Sequence, residues 1–205
     1  MKNNFWLVVV LGLTLLALPA RAQQLDAAFG VGTTSAPSAS DATGKFFPQS
    51  MGGGASPAFS ADFLFIHHLG VGFDVNWRAS QNIYAGVQPF RPVLYTFDAV
   101  WAPRISRQVS GELQGGIGVS ATRFYQPFLS CNLFTCTDFS TVNHFAGHVG
   151  GGVRLYIWRN LFLRPEVHAY FIHNNVEFSG AHLIRYGVSI GYSFRGDEED
   201  RGRRH

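Results

Sequence analysis

The sequence predicts an all-β fold: an eight-stranded antiparallel up-and-down transmembrane β-barrel. Three observations predict it. The last strand-like segment, Leu183 to Phe194, alternates without a break, with Ile184, Tyr186, Val188, Ile190, Tyr192 and Phe194 on one face and Arg185, Gly187, Ser189, Gly191 and Ser193 on the other. Side chains of a strand point to opposite faces with a period of two, so this segment has one bulky apolar side and one small, polar side. Composition is the second observation. Only 14% of residues are charged while 15% are aromatic, and a typical soluble domain carries about 25% charged residues. The third is an export segment at the N-terminus, with Lys2 as its positive start, an apolar run from Phe5 through Leu18 and a small-x-small cleavage motif at Ala20-Arg21-Ala22.

The expected organisation is therefore a signal peptide over residues 1–22, a barrel over 23–194 and a charged tail over 195–205. The N-terminal run is too short for a retained anchor and ends in Pro19, and no later segment has the roughly 20 continuous apolar residues of a spanning helix. The formal charge of +3 includes Lys2 and Arg21, so the processed chain is near +1. That balance argues against nucleic acid as a partner.

Each strand candidate has a definable outer and inner face. The first, Leu25 to Gly32, sets Leu25, Ala27, Phe29 and Val31 on its apolar side. The second sets Ala61, Phe63 and Phe65 against Ser60, Asp62 and Leu64; the third sets Val71, Phe73, Val75 and Trp77 against Gly72, Asp74, Asn76 and Arg78. The fourth sets Tyr95, Phe97, Ala99 and Trp101 against Thr96, Asp98 and Val100, and the fifth sets Leu113, Ile117, Val119 and Ala121 against Glu112, Gln114, Gly116, Gly118 and Ser120. The sixth sets Phe145, Val149, Val153, Leu155 and Ile157 against His148, Gly150, Gly152, Arg154 and Tyr156. The seventh sets Leu163, Pro165, Val167, Ala169 and Phe171 against Arg164, Glu166, His168 and Tyr170, and the closing segment is the eighth.

Connections alternate in length. Long ones run over Thr33 to Pro57, Ser80 to Pro92, Gln126 to Val142 and Asn174 to Ala181; short ones sit at His67-His68-Leu69-Gly70, Pro103 to Gln108 and Arg159-Asn160. Short turns at one end and long loops at the other match outer-membrane barrels, whose short turns lie in the periplasm. A soluble ligand-binding barrel is the rival fold, with the apolar face inside. Volume argues against it: an eight-stranded interior is only just wide enough for side chains. It could hardly enclose Phe29, Phe63, Phe65, Phe73, Trp77, Phe97, Trp101, Tyr186, Tyr192 and Phe194 together with the aliphatics, and the soluble barrel stays the third reading.

The aromatics therefore face outward and the charges inward. Asp26, Asp62, Asp74, Asp98, Glu112 and Glu166 are expected to share the lumen with Arg78, Arg154, Arg164 and Arg185 as an ion-pair network, because buried charges persist only when paired. Such a network leaves no continuous aqueous pore; a narrow passive channel is the alternative reading.

The chain resembles the OmpA-like small outer-membrane barrel family. The residues that carry the resemblance are Ala20-Arg21-Ala22, the Arg164-Pro165-Glu166-Val167 segment and the closing Tyr186-x-Val188-x-Ile190-x-Tyr192-x-Phe194. The resemblance implies residence in the outer membrane among phospholipid and lipopolysaccharide, and recognition of the terminal aromatic, here Phe194, by the barrel-insertion machinery. The tail from Arg195 to His205 departs from that pattern and is too short for a peptidoglycan-binding domain.

The remaining motifs carry weaker chemical signals. Cys131 and Cys136 are expected to form one local disulfide in an oxidising compartment, and two cysteines make a poor zinc site. His148 and His168 are expected to fill the lumen, not to hold metal, and His144 shares a face with His148. A hydrolase needs a serine beside a histidine; Ser189 and Ser193 have no adjacent His, and His168 with Glu166 has no serine, so no enzyme activity is expected. Gly52-Gly53-Gly54 and Gly150-Gly151-Gly152 lack the Lys and helix of a phosphate loop, and no cofactor is expected. Recognition is expected in the loop 126–142, where Phe128, Leu129, Leu133, Phe134 and Phe139 form an apolar contact surface for an extracellular partner.

Overall fold

Alternation of apolar and polar residues is satisfied only by strands, and all eight alternating segments are strands with the faces expected of them. The computed structural model describes residues 24–36, 50–66, 68–84, 87–131, 136–175, 178 and 181–195, with the backbone alone at 66, 127–131 and 195. The expected signal peptide and the tail beyond 195 lie outside these residues, as do His67, Leu133 and Phe134.

The strands are β1 (Gln24–Ser35), β2 (Ala55–Ile66), β3 (Leu69–Trp77), β4 (Asn82–Tyr84), β5 (Gln88–Trp101), β6 (Val109–Cys131), β7 (Cys136–Trp158), β8 (Leu161–Ile172) and β9 (His182–Arg195). All pairings are antiparallel, β3 pairs with β5 and β9 pairs back with β1, so eight of the nine close into a barrel. The short β4 only lies against the end of β5. Among the described residues there is no helix. Closure leaves the barrel wall without a free edge.

Two connections differ from expectation. Ser80 to Pro92 is not one loop: Asn82–Tyr84 folds back on Gln88–Phe90 as a hairpin, so the fourth barrel strand starts earlier than its aromatic alternation indicated. The cysteine-containing stretch 126–142 is largely strand. β6 and β7 run 23 residues each, and their ladder continues from the barrel wall to the Cys131–Cys136 backbone pair, interrupted by one irregularity between Tyr125 and Ser130. Since β5 leaves β6 at Phe124 and β8 leaves β7 at Ala146, the rest is a two-stranded ribbon standing beyond the barrel rim. Turn-forming residues there favour a loop, but a cross-strand partner supplies the backbone hydrogen bonds that decide the matter.

The outward face is a continuous apolar belt. Phe29, Phe97, Ile117, Phe145, Val149, Ile190 and Phe194 are all more than half exposed or close to it. From Ile184 to Phe194 the belt on β9 runs about 34 Å along the strand, or roughly 25 Å in height at a strand tilt of about 40°. The inward face buries nearly every charge of the wall.

Candidate functional site

Inward residues stack in layers, because each strand contributes every second side chain at a fixed height. At the end with the short turns, Leu64, Val100 and Ala102 pack together, and Phe162 lies buried against Tyr156 with the Arg154 guanidinium 5.2 Å from its ring centre. Gly191 opposite leaves the space this ring occupies.

Above that floor lies the charge layer. Arg154 donates to Asp26, Glu112 and, at 2.9 Å, Asp62. Arg164 donates to Glu112 and Glu166 at 2.7 Å each, to Ser60 at 2.7 Å, and more loosely to Asp62 at 3.4 Å. Arg185 donates to Glu166 at 2.7 Å. Planar guanidinium forks can each serve several carboxylates, which lets three arginines hold four acids in a closed space. Every member is nearly inaccessible to water.

Not every expected member joins. Arg78 lies past the end of β3 at the opposite end of the barrel, where its Nη1 donates to the Gly52 carbonyl at 3.1 Å, and the turn formed by Gly53 and Gly54 at positive φ lies against it. Its inward parity was right, but its height is wrong for the network. Asp74 also pairs with no arginine among the described residues: it accepts from Asn76 and from the Tyr170 hydroxyl, both at 3.4 Å. Asp98 pairs with His148, Nδ1 to Oδ1 at 2.6 Å, and accepts from Thr96 at 2.7 Å.

A third layer follows from these contacts. His148 Nε2 lies 3.0 Å from His168 Nδ1, the rings stack at 9°, and Tyr170 stacks on His148 at 16°. His168 Nε2 in turn lies 3.7 Å from Glu166, linking this layer to the arginines below. Gly150 makes room: a Cβ there would fall 2.5 Å from His168 Nδ1 and 3.1 Å from His148 Nε2. Among the described residues neither histidine hydrogen-bonds to a serine, and no group of three metal-ligating side chains occurs.

The top layer was not expected. Met51, Phe90, Leu94, Phe124, Ile172, Phe178 and Leu183 form a buried apolar cluster across the loop end, with Tyr84 edge-on to Phe90, Phe124 and Phe178. Aromatic pairs at these separations add to the area they bury. The signal was in the parity: Phe90 and Leu94 continue the inward series of Thr96 and Asp98, and Phe124 continues that of Ser120 and Thr122. Phe178 arrives from the β8–β9 connection, for which no period exists.

Outward at the same end, Phe139 of the ribbon is half-buried beside Tyr125 and under the Arg123 guanidinium, 5.3 Å from its ring centre. The backbones of Cys131 and Cys136 are direct cross-strand partners. Tyr186, Val188, Ile190, Tyr192 and Phe194 all point outward from β9, next to β1.

No family model matches the chain, and no curated protein matches it in sequence. Solved structures do. Neisserial surface protein A matches with a TM-score of 0.57 at 14% identity over 84% of this chain and 97% of that one. A major outer membrane protein from Thermus thermophilus matches at 0.55 and 12% identity over 85% and 100%. Ail, the attachment invasion locus protein of Yersinia pestis, matches at 0.52 and 11% identity over 84% and 98%. At such identities the likeness is one of fold: this chain has the closed eight-stranded barrel of the small outer-membrane proteins.

Proposed function

We propose that the protein is an integral outer-membrane barrel of OmpA-like type, exported by a cleaved signal over residues 1–22. In this reading it acts as a membrane-embedded scaffold that presents the β6–β7 ribbon outside the cell. The observation that carries this is the inside-out wall: aromatic and aliphatic side chains cover the outside while Asp26, Asp62, Glu112, Arg154, Arg164, Glu166 and Arg185 are sealed within. Exposed apolar area on this scale is unfavourable in water and favourable in hydrocarbon. The belt height of roughly 25 Å is the band expected of outer-membrane barrels. The short turns then face the periplasm and the ribbon faces outward.

Filling of the lumen supports a scaffold over a channel, since floor, charge, histidine and aromatic layers succeed one another across it. The same filling supports a non-enzymatic role: His148 and His168 are committed to Asp98 and to each other, and Ser60 and Ser189 to Arg164. The outward series Tyr186 to Phe194 serves as the signal for the barrel-insertion machinery. Facing Cys131 and Cys136 backbones stand at a separation that a disulfide spans, which supports a bond closing the ribbon tip; alkylation before and after reduction would reveal free thiols if it were absent. The fold shared with Ail, an attachment protein by its name, supports contact with an extracellular partner through this ribbon.

The test is whole-cell proteolysis combined with flotation. The chain should float with membranes and be cut within 132–135 from outside, leaving the barrel intact. Recovery in the soluble fraction, or cleavage at Pro103 to Gln108 in intact cells, contradicts the assignment.

A further inference from the structure

One outward feature is unexplained by a membrane-embedded scaffold. Arg91 on β5 and Arg123 on β6 are direct cross-strand partners, and both belong to the outward series of their strands. Two like charges opposite each other destabilise a sheet. Among the described residues no carboxylate lies within ion-pair distance of either. Instead each head group rests on a different uncharged neighbour. Arg91 donates from Nη2 to the Ala79 carbonyl at 3.2 Å, and its Nε is buried without a partner; Arg123 lies over Phe139. The loop-end rim thus carries two uncompensated guanidiniums and a buried donor, fixed in place by a carbonyl and an aromatic ring.

Their height says what would compensate them. Tyr95 and Val93 on β5, and Val119 and Ala121 on β6, are the apolar outward positions that lead up to the pair, and Trp77, an aromatic of the kind that sits at a membrane interface, stands level with Val93 on β3. Arg91 and Arg123 are the next outward positions, about 7 Å further along the strands and roughly 5 Å higher. Just above a hydrocarbon band lie the headgroups. Guanidinium forks suit phosphate, and their stems lie along the apolar wall while the charge reaches the polar layer.

We propose that Arg91 and Arg123 form a binding site for the phosphate groups of an anionic outer-leaflet lipid. The inference rests on the membrane orientation given above. Phosphate between the two guanidiniums converts a repulsion into two charge-assisted contacts. The site is a feature of the barrel wall and is separate from the ribbon tip.

The experiment uses the full chain, refolded in neutral detergent, titrated with lipopolysaccharide or with the same lipid after enzymatic dephosphorylation. Bound lipid is read by native mass spectrometry, and the heat-induced gel shift confirms that each variant is folded. R91Q/R123Q should bind the phosphorylated lipid about tenfold or more weakly, the loss of at least one charged hydrogen bond. R104Q/R107Q removes the same charge at the opposite end and should stay within about twofold of the parent, because screening limits charge effects over that distance. R91K/R123K should retain most of the binding, and the dephosphorylated lipid should not distinguish R91Q/R123Q from the parent. Equal weakening in both glutamine doubles, or none in R91Q/R123Q, overturns the site. Complete displacement of the lipid by inorganic phosphate would assign the pair to free phosphate and overturn the lipid. Failure of the chain to float with vesicles would remove the membrane assignment and this site with it, whereas flotation with unchanged R91Q/R123Q binding removes this site alone.

Discussion

Arg154 illustrates how a single side chain organises the lumen. It reaches three carboxylates that come from β1, β2 and β6, so its removal strands acids on three strands at once. Breaking a buried ion pair by deleting one partner costs about 3–5 kcal/mol, because the remaining charge stays desolvated. Arg154→Met should therefore lower the unfolding free energy in urea by about that amount. Arg78→Met is the matched control. Arg78 is only half-buried and holds a carbonyl, so its loss should cost about 1 kcal/mol. Equal losses in the two variants would show that position in the network counts for nothing.

At the scale of the element, β7 shows why small residues sit where they do. Gly150 faces inward between the two stacked histidines, and a methyl group there has to displace one ring or the other. Overpacking of this kind costs about 1–3 kcal/mol, so Gly150→Ala should destabilise the barrel by that amount. Gly147, also on β7, meets nothing within 4 Å of an added Cβ. Gly147→Ala should be neutral or slightly stabilising, which the same urea titrations check. The inward and outward sets of every wall strand were legible from alternation alone, since a slip of one residue would have put Asp62 or Arg154 outside. The ribbon was not legible. Its sequence from Gln126 to Val142 mixes Pro127, two cysteines and scattered aromatics, and only the facing strand tells such a stretch from a loop.

For the molecule as a whole, the layered filling predicts electrical behaviour. Planar-bilayer recording of the refolded protein should show no steady ion current. Phe90→Ala combined with Phe178→Ala opens the aromatic layer, yet should still give none, because the histidine and arginine layers remain beneath it. Steady current through the parent would favour the channel reading; current through the double variant alone would make the aromatic layer the only barrier.

The sequence by itself determined the number of strands in the barrel wall, the direction each wall residue faces and the pooling of charge inside, because a two-residue period and the low charge content leave one arrangement that buries ions and exposes rings. It did not determine which charges meet. Parity assigns a side chain to the lumen without assigning its height, and height depends on the stagger between strands. Only the closed barrel therefore decided that Arg78 stands apart, that Asp98 takes a histidine, and that Phe90, Phe124 and Phe178 from distant segments meet in one apolar layer.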